Sequence, residues 1–147
     1  HRNINTNHFS WQITTEKVVD GRAMAYGYAF VILAGSFAFK IGIKEGKELA
    51  EEAWNFMNKY FWEEKYSAYA DELSSDLKIL NPYRGQNANM HLCEALLCCF
   101  EATKNKIFIE NRIVKIISGG INDLNKSTIL LRLNLKVNTS RNMGIQI

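Results

Sequence analysis

Met90-His91-Leu92-Cys93-Glu94-Ala95-Leu96-Leu97-Cys98-Cys99-Phe100-Glu101-Ala102-Thr103 carries apolar side chains on most faces of a helix. A helix with so little polar surface is covered by neighbours on several sides, so this stretch predicts an all-α architecture built from packed helix layers. Immediately before it, Tyr83-Arg84-Gly85-Gln86-Asn87-Ala88-Asn89 places an arginine and three carboxamides at the start of the same helix, which Asn87 or Asn89 is expected to cap. With His91 this is the densest polar constellation in the chain. Carboxamides and imidazole offer donors and acceptors together, as recognition of a polyhydroxylated ligand such as a sugar requires. Helix capping plus one satisfied histidine is the plainer structural alternative.

Upstream, Arg22 to Lys40 is rich in Ala, Phe and Leu and predicts a first helix that is hydrophobic nearly all round, with Asp20 as N-cap and Gly42 closing it. Tyr26, Phe30, Leu33 and Phe37 recur at helical steps, and Ala23, Gly27, Ala34 and Ala38 supply small surfaces for close helix approach. A second helix, from about Lys44 to Phe61, is amphipathic, with Leu49, Ala53, Phe56 and Tyr60 opposite a mostly charged side. Its acids near the start and Lys59 near the end suit the helix dipole. The first twenty residues read as an irregular hairpin or loop. Trp62 to Arg84 reads as a long connection in which Tyr66 to Ala70 pairs with Asp71 to Leu73, and Pro82 keeps Asn81 extended. A weaker fourth helix is expected from about Lys106 to Ile117, ending before Gly119-Gly120.

The chain of 147 residues is 47% hydrophobic and 22% charged, a composition that excludes disorder and is enough for one packed domain. Its net charge of +3 is uneven. Seven basic residues face two acidic ones from Asn105 to Ile147, against 11 basic and 13 acidic in the rest. A mildly acidic body argues against a nucleic-acid partner, because phosphate binding needs a clustered basic face. No apolar run approaches the roughly 20 residues that span a bilayer, and the first residues lack a charged-then-apolar signal, so a soluble cytoplasmic protein without a membrane partner is expected. Cys93, Cys98 and Cys99 read as buried thiols. With His91 they do not make a metal site, since Cys98 and Cys99 point about 100° apart on a helix and no further ligand completes four.

The Tyr83 to His91 motif, continued by Glu94-Ala95-Leu96-Leu97 and Phe100-Glu101-Ala102-Thr103, resembles the N-acylglucosamine 2-epimerase superfamily, and within it the mannose isomerase or aldose-ketose isomerase branch. Val19-Asp20-Gly21-Arg22, Ala25-Tyr26-Gly27, Ala29-Phe30 and Leu33-Ala34 look like the family's inner helix, preceded by the aromatic turn Phe9-Ser10-Trp11. Phe61-Trp62 and Tyr69-Ala70-Asp71-Glu72 fit its next hairpin and loop. The resemblance implies an (α/α)6 barrel around a sugar pocket, isomerising a mannose-like aldose through a cis-enediol, with no metal or nucleotide cofactor in the isomerase branch. An N-acylglucosamine or other sugar 2-epimerase is the runner-up, and a non-catalytic helical sugar-binding or interaction module the reading from a different class. Carried over by position, Tyr26, Asn87 and His91 face the substrate, and Arg84 and Asn89 belong to the same binding motif. Asn87 is assigned to a sugar hydroxyl and His91 to the ring oxygen or anomeric region.

Departures from the pattern qualify the assignment. Tyr28 stands where many relatives have a histidine, which implies a changed substrate preference. The family's two proton-transfer histidines lie on inner helices beyond this motif, and no histidine follows His91 here, so the catalytic residues are unassigned. Arg2 lies in unaligned sequence, leaving an expected binding arginine without a counterpart. The chain is read as residues 1–112, a third of such a barrel holding two of six hairpins, followed by a divergent tail, 113–147. Leu131-Arg132-Leu133-Asn134-Leu135-Lys136-Val137 in that tail alternates like an amphipathic strand. The protein partners expected are a second copy in a homo-oligomer, or a complementing chain that completes the ring of a split enzyme.

Overall fold

The computed structural model describes residues 2–79, 83–109, 113, 115 and 116. Three long helices dominate them: α1 (Ala25–Lys40), α2 (Glu45–Tyr60) and α3 (Gln86–Thr103). Six strands of two or three residues accompany them: β1 (Gln12–Ile13), β2 (Val18–Asp20), β3 (Ala23–Met24), β4 (Trp62–Glu63), β5 (Ala68–Tyr69) and β6 (Glu72–Leu73). All three pairings are antiparallel: β1 with β2, β3 with β6, and β4 with β5.

The chemistry of α1 explains its place. Being apolar all round, it packs along both α2 and α3. The α1–α2 turn closes as the sequence predicts: Gly42 follows the helix with φ +94°, a left-handed conformation in which a Cβ is disfavoured. The two helices cross where Gly35 meets Gly46. A Cβ built on Gly35 would lie 2.6 Å from the Gly46 carbonyl oxygen, and one on Gly46 would lie 2.5 Å from that of Gly35. Helix α3 runs alongside α1 in the same direction. Tyr26 meets His91 near their starts, and Lys40 reaches Glu101 at 3.0 Å near their ends.

Several sequence expectations are corrected. Helix α1 starts at Ala25 with Met24 as N-cap, so Asp20 does not cap it. Asp20 instead accepts the backbone N–H and the guanidinium of Arg22, which holds its carboxyl below the usual range. The buried stripe of α1 is Tyr28, Ala29, Ile32, Gly35 and Ser36, while Phe30 and Phe37 are 41% and 55% exposed. An all-apolar helix has no polar face to fix its rotation, so packing partners choose the stripe. On α2 the buried line is Gly46, Ala50, Ala53 and Met57, with Phe56 and Tyr60 half-buried beside it. Gly27 abuts the Trp11 ring rather than a helix.

The connection after α2 also differs. Tyr66 to Ala70 does not pair with Asp71 to Leu73: β5 returns to β4, and β6 reaches back to β3, so that Ala23 faces Leu73 and Met24 faces Glu72. The core gathers Ile32, Met57, Phe61, Tyr69, Leu73, Leu92 and Leu96 between the helices and this connection. Phe108, Ile113 and Ile116 join it, Phe108 standing edge-on to Trp54 at 5.0 Å. The expected fourth helix is described only in part, and the stretch from Leu80 to Pro82, the Gly119-Gly120 break and the alternating tail lie outside the described residues. The three cysteines are buried and form no disulfide, and burial pushes the Cys93 thiol up to about 12. Among the described residues no helix is long and apolar enough to cross a membrane.

Candidate functional site

The first turns of α1 and α3 are held by the β5–β6 connection. Helix α1 begins where β3 leaves its pairing with β6, and the N–H of Ala25 donates to the Asp71 carbonyl oxygen at 2.9 Å. Helix α3 begins at Gly85, whose extended backbone forms the N-cap without a side-chain bond of its own. The Gly85 N–H donates to Asp71 Oδ1 at 2.7 Å. A Cβ at position 85 would lie 2.6 Å from both Asp71 carboxylate oxygens, so glycine is what permits this approach. Burial, reinforced by the charge of Glu72, pushes the Asp71 carboxyl up from its ordinary value, against the opposing effect of the Gly85 bond.

Tyr26, in the first turn of α1, meets His91, in the second turn of α3, with ring centroids 5.3 Å apart at 89°. Phe30 lies 5.3 Å from the same imidazole and 4.9 Å from Tyr26, and Trp11 stands edge-on to Tyr26 at 6.5 Å. The His91 side chain retains 27% of its exposure, with Nδ1 3.5 Å from Glu94 Oε2. Asn87, four residues before His91, shares its side of α3 and is exposed. Tyr26 and His91 therefore form a rim between α1 and α3, an aromatic surface beside an imidazole, with Asn87 exposed one turn earlier on the His91 side of α3. Such a rim can pack against sugar C–H groups and exchange hydrogen bonds with hydroxyls.

The other two predicted residues face elsewhere. Asn89 is 2% exposed, and its amide is engaged on both ends. Oδ1 accepts the Tyr69 N–H at 2.9 Å, while Nδ2 donates to the carbonyl oxygens of Tyr69 at 3.0 Å and Gly85 at 2.9 Å. It neither caps α3 nor faces the rim; it fastens the helix to β5. Asn87 does not cap the helix either. Arg84 pairs with Glu63 and lays its guanidinium 3.8 Å from the Tyr66 ring centroid, tying the segment before α3 to β4 and the turn after it. The bond to Glu63 raises the Arg84 pKa further.

Tyr28, linked by the resemblance to substrate preference, lies away from the rim. Two positions from Tyr26 on α1, it points to the opposite side, 3% exposed, stacked on Phe56 at 4.7 Å. Its hydroxyl accepts the Phe9 N–H at 3.1 Å, and burial pushes its pKa up to about 12. It is a core residue holding the N-terminal segment. His8, given no role from sequence, is fully buried in that segment, with Nε2 2.7 Å from the Gly21 carbonyl oxygen and Nδ1 2.5 Å from Thr6 Oγ1. Arg2 grips Glu52 through its two terminal guanidinium nitrogens, at 2.5 and 2.8 Å. A cavity of about 250 Å³ opens beside these groups, between Phe9, Tyr28, Glu52 and Phe56, away from the rim. Sequence reads Asp71 as a loop cap; that it ties Ala25 and Gly85 together was not legible, because both partners are distant along the chain. Among the described residues no three His, Cys, Asp or Glu side chains gather as a metal site.

Comparison with known proteins gives a consistent picture. Residues 1–130 match the family model for N-acylglucosamine 2-epimerase (GlcNAc 2-epimerase), a span that runs past Arg112. A D-mannose isomerase from Marinomonas mediterranea is 44% identical over 102 residues, covering 69% of this chain and 26% of that protein. One from Thermobifida fusca is 36% identical over 96 residues, 65% of this chain and 24% of its own length. The crystal structure of a D-mannose isomerase superposes with a TM-score of 0.71 at 41% identity, covering 77% of this chain and 30% of that one. Cellobiose 2-epimerase from Bacillus thermoamylovorans superposes with a TM-score of 0.70 at 16% identity, covering 80% of this chain and 33% of that one, a likeness of fold. The chain spans about a quarter of the length of the curated relatives it matches.

Proposed function

Since the chain belongs to the N-acylglucosamine 2-epimerase family, we propose that it forms part of a sugar isomerase acting on a mannose-like aldose, in which α1 and α3 are neighbouring inner helices of an (α/α)6 barrel. The observation that carries this reading is the contact between Tyr26 and His91 across two parallel helices, with Asn87 on the same side. In this reading the Tyr26 ring supports one face of the sugar, Asn87 bonds a hydroxyl, and His91 meets the ring oxygen or anomeric region. Arg84 and Asn89 contribute by shaping the segment from which Asn87 and His91 project.

The reaction moves a proton. A base removes the C2 hydrogen of the open-chain aldose as the C1 carbonyl oxygen gains a proton, giving a cis-enediol; reprotonation at C1, with loss of the O2 proton, yields the ketose. Reprotonation at C2 from the other face would give epimerisation instead. Imidazole suits such transfers because its unperturbed pKa lies nearest neutrality. No histidine follows His91 in the sequence, so this reading gives the described residues the task of binding and assigns them neither proton-transfer step.

The test is a titration of the purified chain with D-mannose, following the His91 imidazole by NMR, alongside a mannose-to-fructose assay and solvent-deuterium incorporation at C2. Saturable perturbation of His91, lost in Asn87→Ala, is expected without deuterium incorporation. Absence of any mannose effect on His91 would refute the binding assignment. Exchange at C2 that disappears in His91→Ala would instead place a proton-transfer base among these residues.

A further inference from the structure

We infer that Asp71 is the positioning residue of the Tyr26–His91 rim: it fixes the starts of α1 and α3 to one another, one through its backbone and the other through its side chain. The inference deepens the sugar-site reading and rests on it for its functional consequence. The N-caps of α1 and α3, Met24 and Gly85, make no side-chain cap hydrogen bond, leaving the entering backbone groups to find partners elsewhere. One residue supplies both. The Asp71 carbonyl oxygen accepts the Ala25 N–H at 2.9 Å, and Asp71 Oδ1 accepts the Gly85 N–H at 2.7 Å.

Each contact lies close to a rim residue. Tyr26 follows Ala25 directly, and His91 projects from the second turn of the helix that Gly85 starts. Asn89 fastens α3 to Tyr69, two residues before Asp71, and thus selects the strand against which α3 begins. Asp71 adds the direct reference between the helices. Because its carbonyl bond is independent of its side chain, truncating the side chain leaves α1 tied and frees Gly85, at the start of α3, from Asp71, while Asn89 still holds the helix to β5. The relative placement of Tyr26 and His91 is then the quantity that changes.

The fit is tight enough to be tested from either partner. A methyl group at position 85 would lie 2.6 Å from both carboxylate oxygens, so Gly85→Ala displaces the same contact while keeping the Asp71 charge. Asn at position 71 keeps a carbonyl oxygen for the Gly85 N–H and removes the charge, so it should restore positioning where Ala does not.

The experiment compares the full chain with Asp71→Ala, Asp71→Asn and Gly85→Ala. Helicity is followed by circular dichroism, the His91 Cε1–H resonance by NMR, and affinity by D-mannose titration. The neighbouring Tyr26 and Phe30 rings give the His91 proton a ring-current shift that depends on their placement. In folded Asp71→Ala and Gly85→Ala that shift should move toward the free-imidazole value, whereas Asp71→Asn keeps it. Mannose affinity should fall about tenfold in the first two, the scale expected for losing a charge-assisted hydrogen bond that orders the site. An unchanged His91 resonance in folded Asp71→Ala would overturn the inference. If that variant loses its helices, the same criterion applies to Gly85→Ala. In the wild-type chain the Gly85 amide must be protected from solvent exchange, and unprotected exchange overturns the inference without any variant. A displaced His91 signal in a chain that never responds to mannose would leave the positioning role standing and remove the sugar reading.

Discussion

Asn87 and Asn89 lie two positions apart in one motif, and the structure gives their truncations opposite outcomes. Asn89→Ala removes both partners that the buried Asn89 amide offers to Tyr69, leaving its N–H and carbonyl oxygen without them. The Gly85 carbonyl oxygen is less affected, because it also accepts the Asn89 backbone N–H at 3.2 Å. At roughly 1–3 kcal/mol for each unsatisfied buried group, a loss of about 3 kcal/mol is expected, offset by about 0.5 kcal/mol from the higher helix propensity of alanine. Asn87 is exposed, so Asn87→Ala loses no buried bond and should leave stability within about 0.5 kcal/mol of the parent. Urea unfolding followed by helical circular dichroism reads the contrast directly. With a typical m-value of about 2 kcal/mol per molar, the Asn89→Ala midpoint should fall by about 1 M while that of Asn87→Ala stays in place. Mannose binding should show the reverse pattern in the folded proteins, weakened by Asn87→Ala. Midpoints for the two variants within about 0.3 M of each other would refute the division between clamp and rim.

The helix crossing and the buried acids give two further expectations. Gly46→Ala places a methyl group 2.5 Å from the Gly35 carbonyl oxygen and 2.7 Å from the Phe39 nitrogen, both backbone atoms, so α1 and α2 must separate. A loss of about 1–3 kcal/mol should follow, read as a lower thermal midpoint; an unchanged midpoint would show that the crossing is looser than described. At alkaline pH, Cys93 and Tyr28 act together: burial pushes both acids up to about 12, from 9.0 and 10.0, so the unfolded chain ionises first. The stability they contribute is complete below pH 9 and declines as pH rises toward 12, and Cys93→Ala with Tyr28→Phe should flatten that decline in urea midpoints.

The helices were legible because their signals are local: long apolar runs, the Gly42 stop and the charged side of α2. Rotation about their axes was less so. On α1, apolar residues occupy every side, and periodicity could not distinguish the Tyr26–Phe30–Phe37 line from the buried Tyr28–Ile32–Gly35 line; the contacts with α2 and α3 decide it. The β3–β6 pairing was invisible for a related reason, since its two partners are separated by two helices and the β4–β5 hairpin. In the candidate site, composition marked Tyr83 to His91 as unusual, and only the family resemblance brought Tyr26 together with His91, whose rings do meet. It could not assign the amides individually. Whether an asparagine meets solvent or a strand depends on a rotation of about 100° per residue, and Asn87 and Asn89 stand on different sides of α3.

The Asn89 clamp also closes a strand edge. The Ala70 N–H turns inward to the Phe61 carbonyl oxygen across the β4–β5 pair, so the Tyr69 groups, one residue out of phase, point the other way. An exposed N–H and C=O pair on such an edge is a template to which another extended chain can add. The Asn89 side chain presents a carbonyl oxygen and an N–H in the same plane, as a peptide group does, and meets Tyr69 with both. A single helical residue thus takes the place of a neighbouring strand at Tyr69, and the hairpin ends against its own helix.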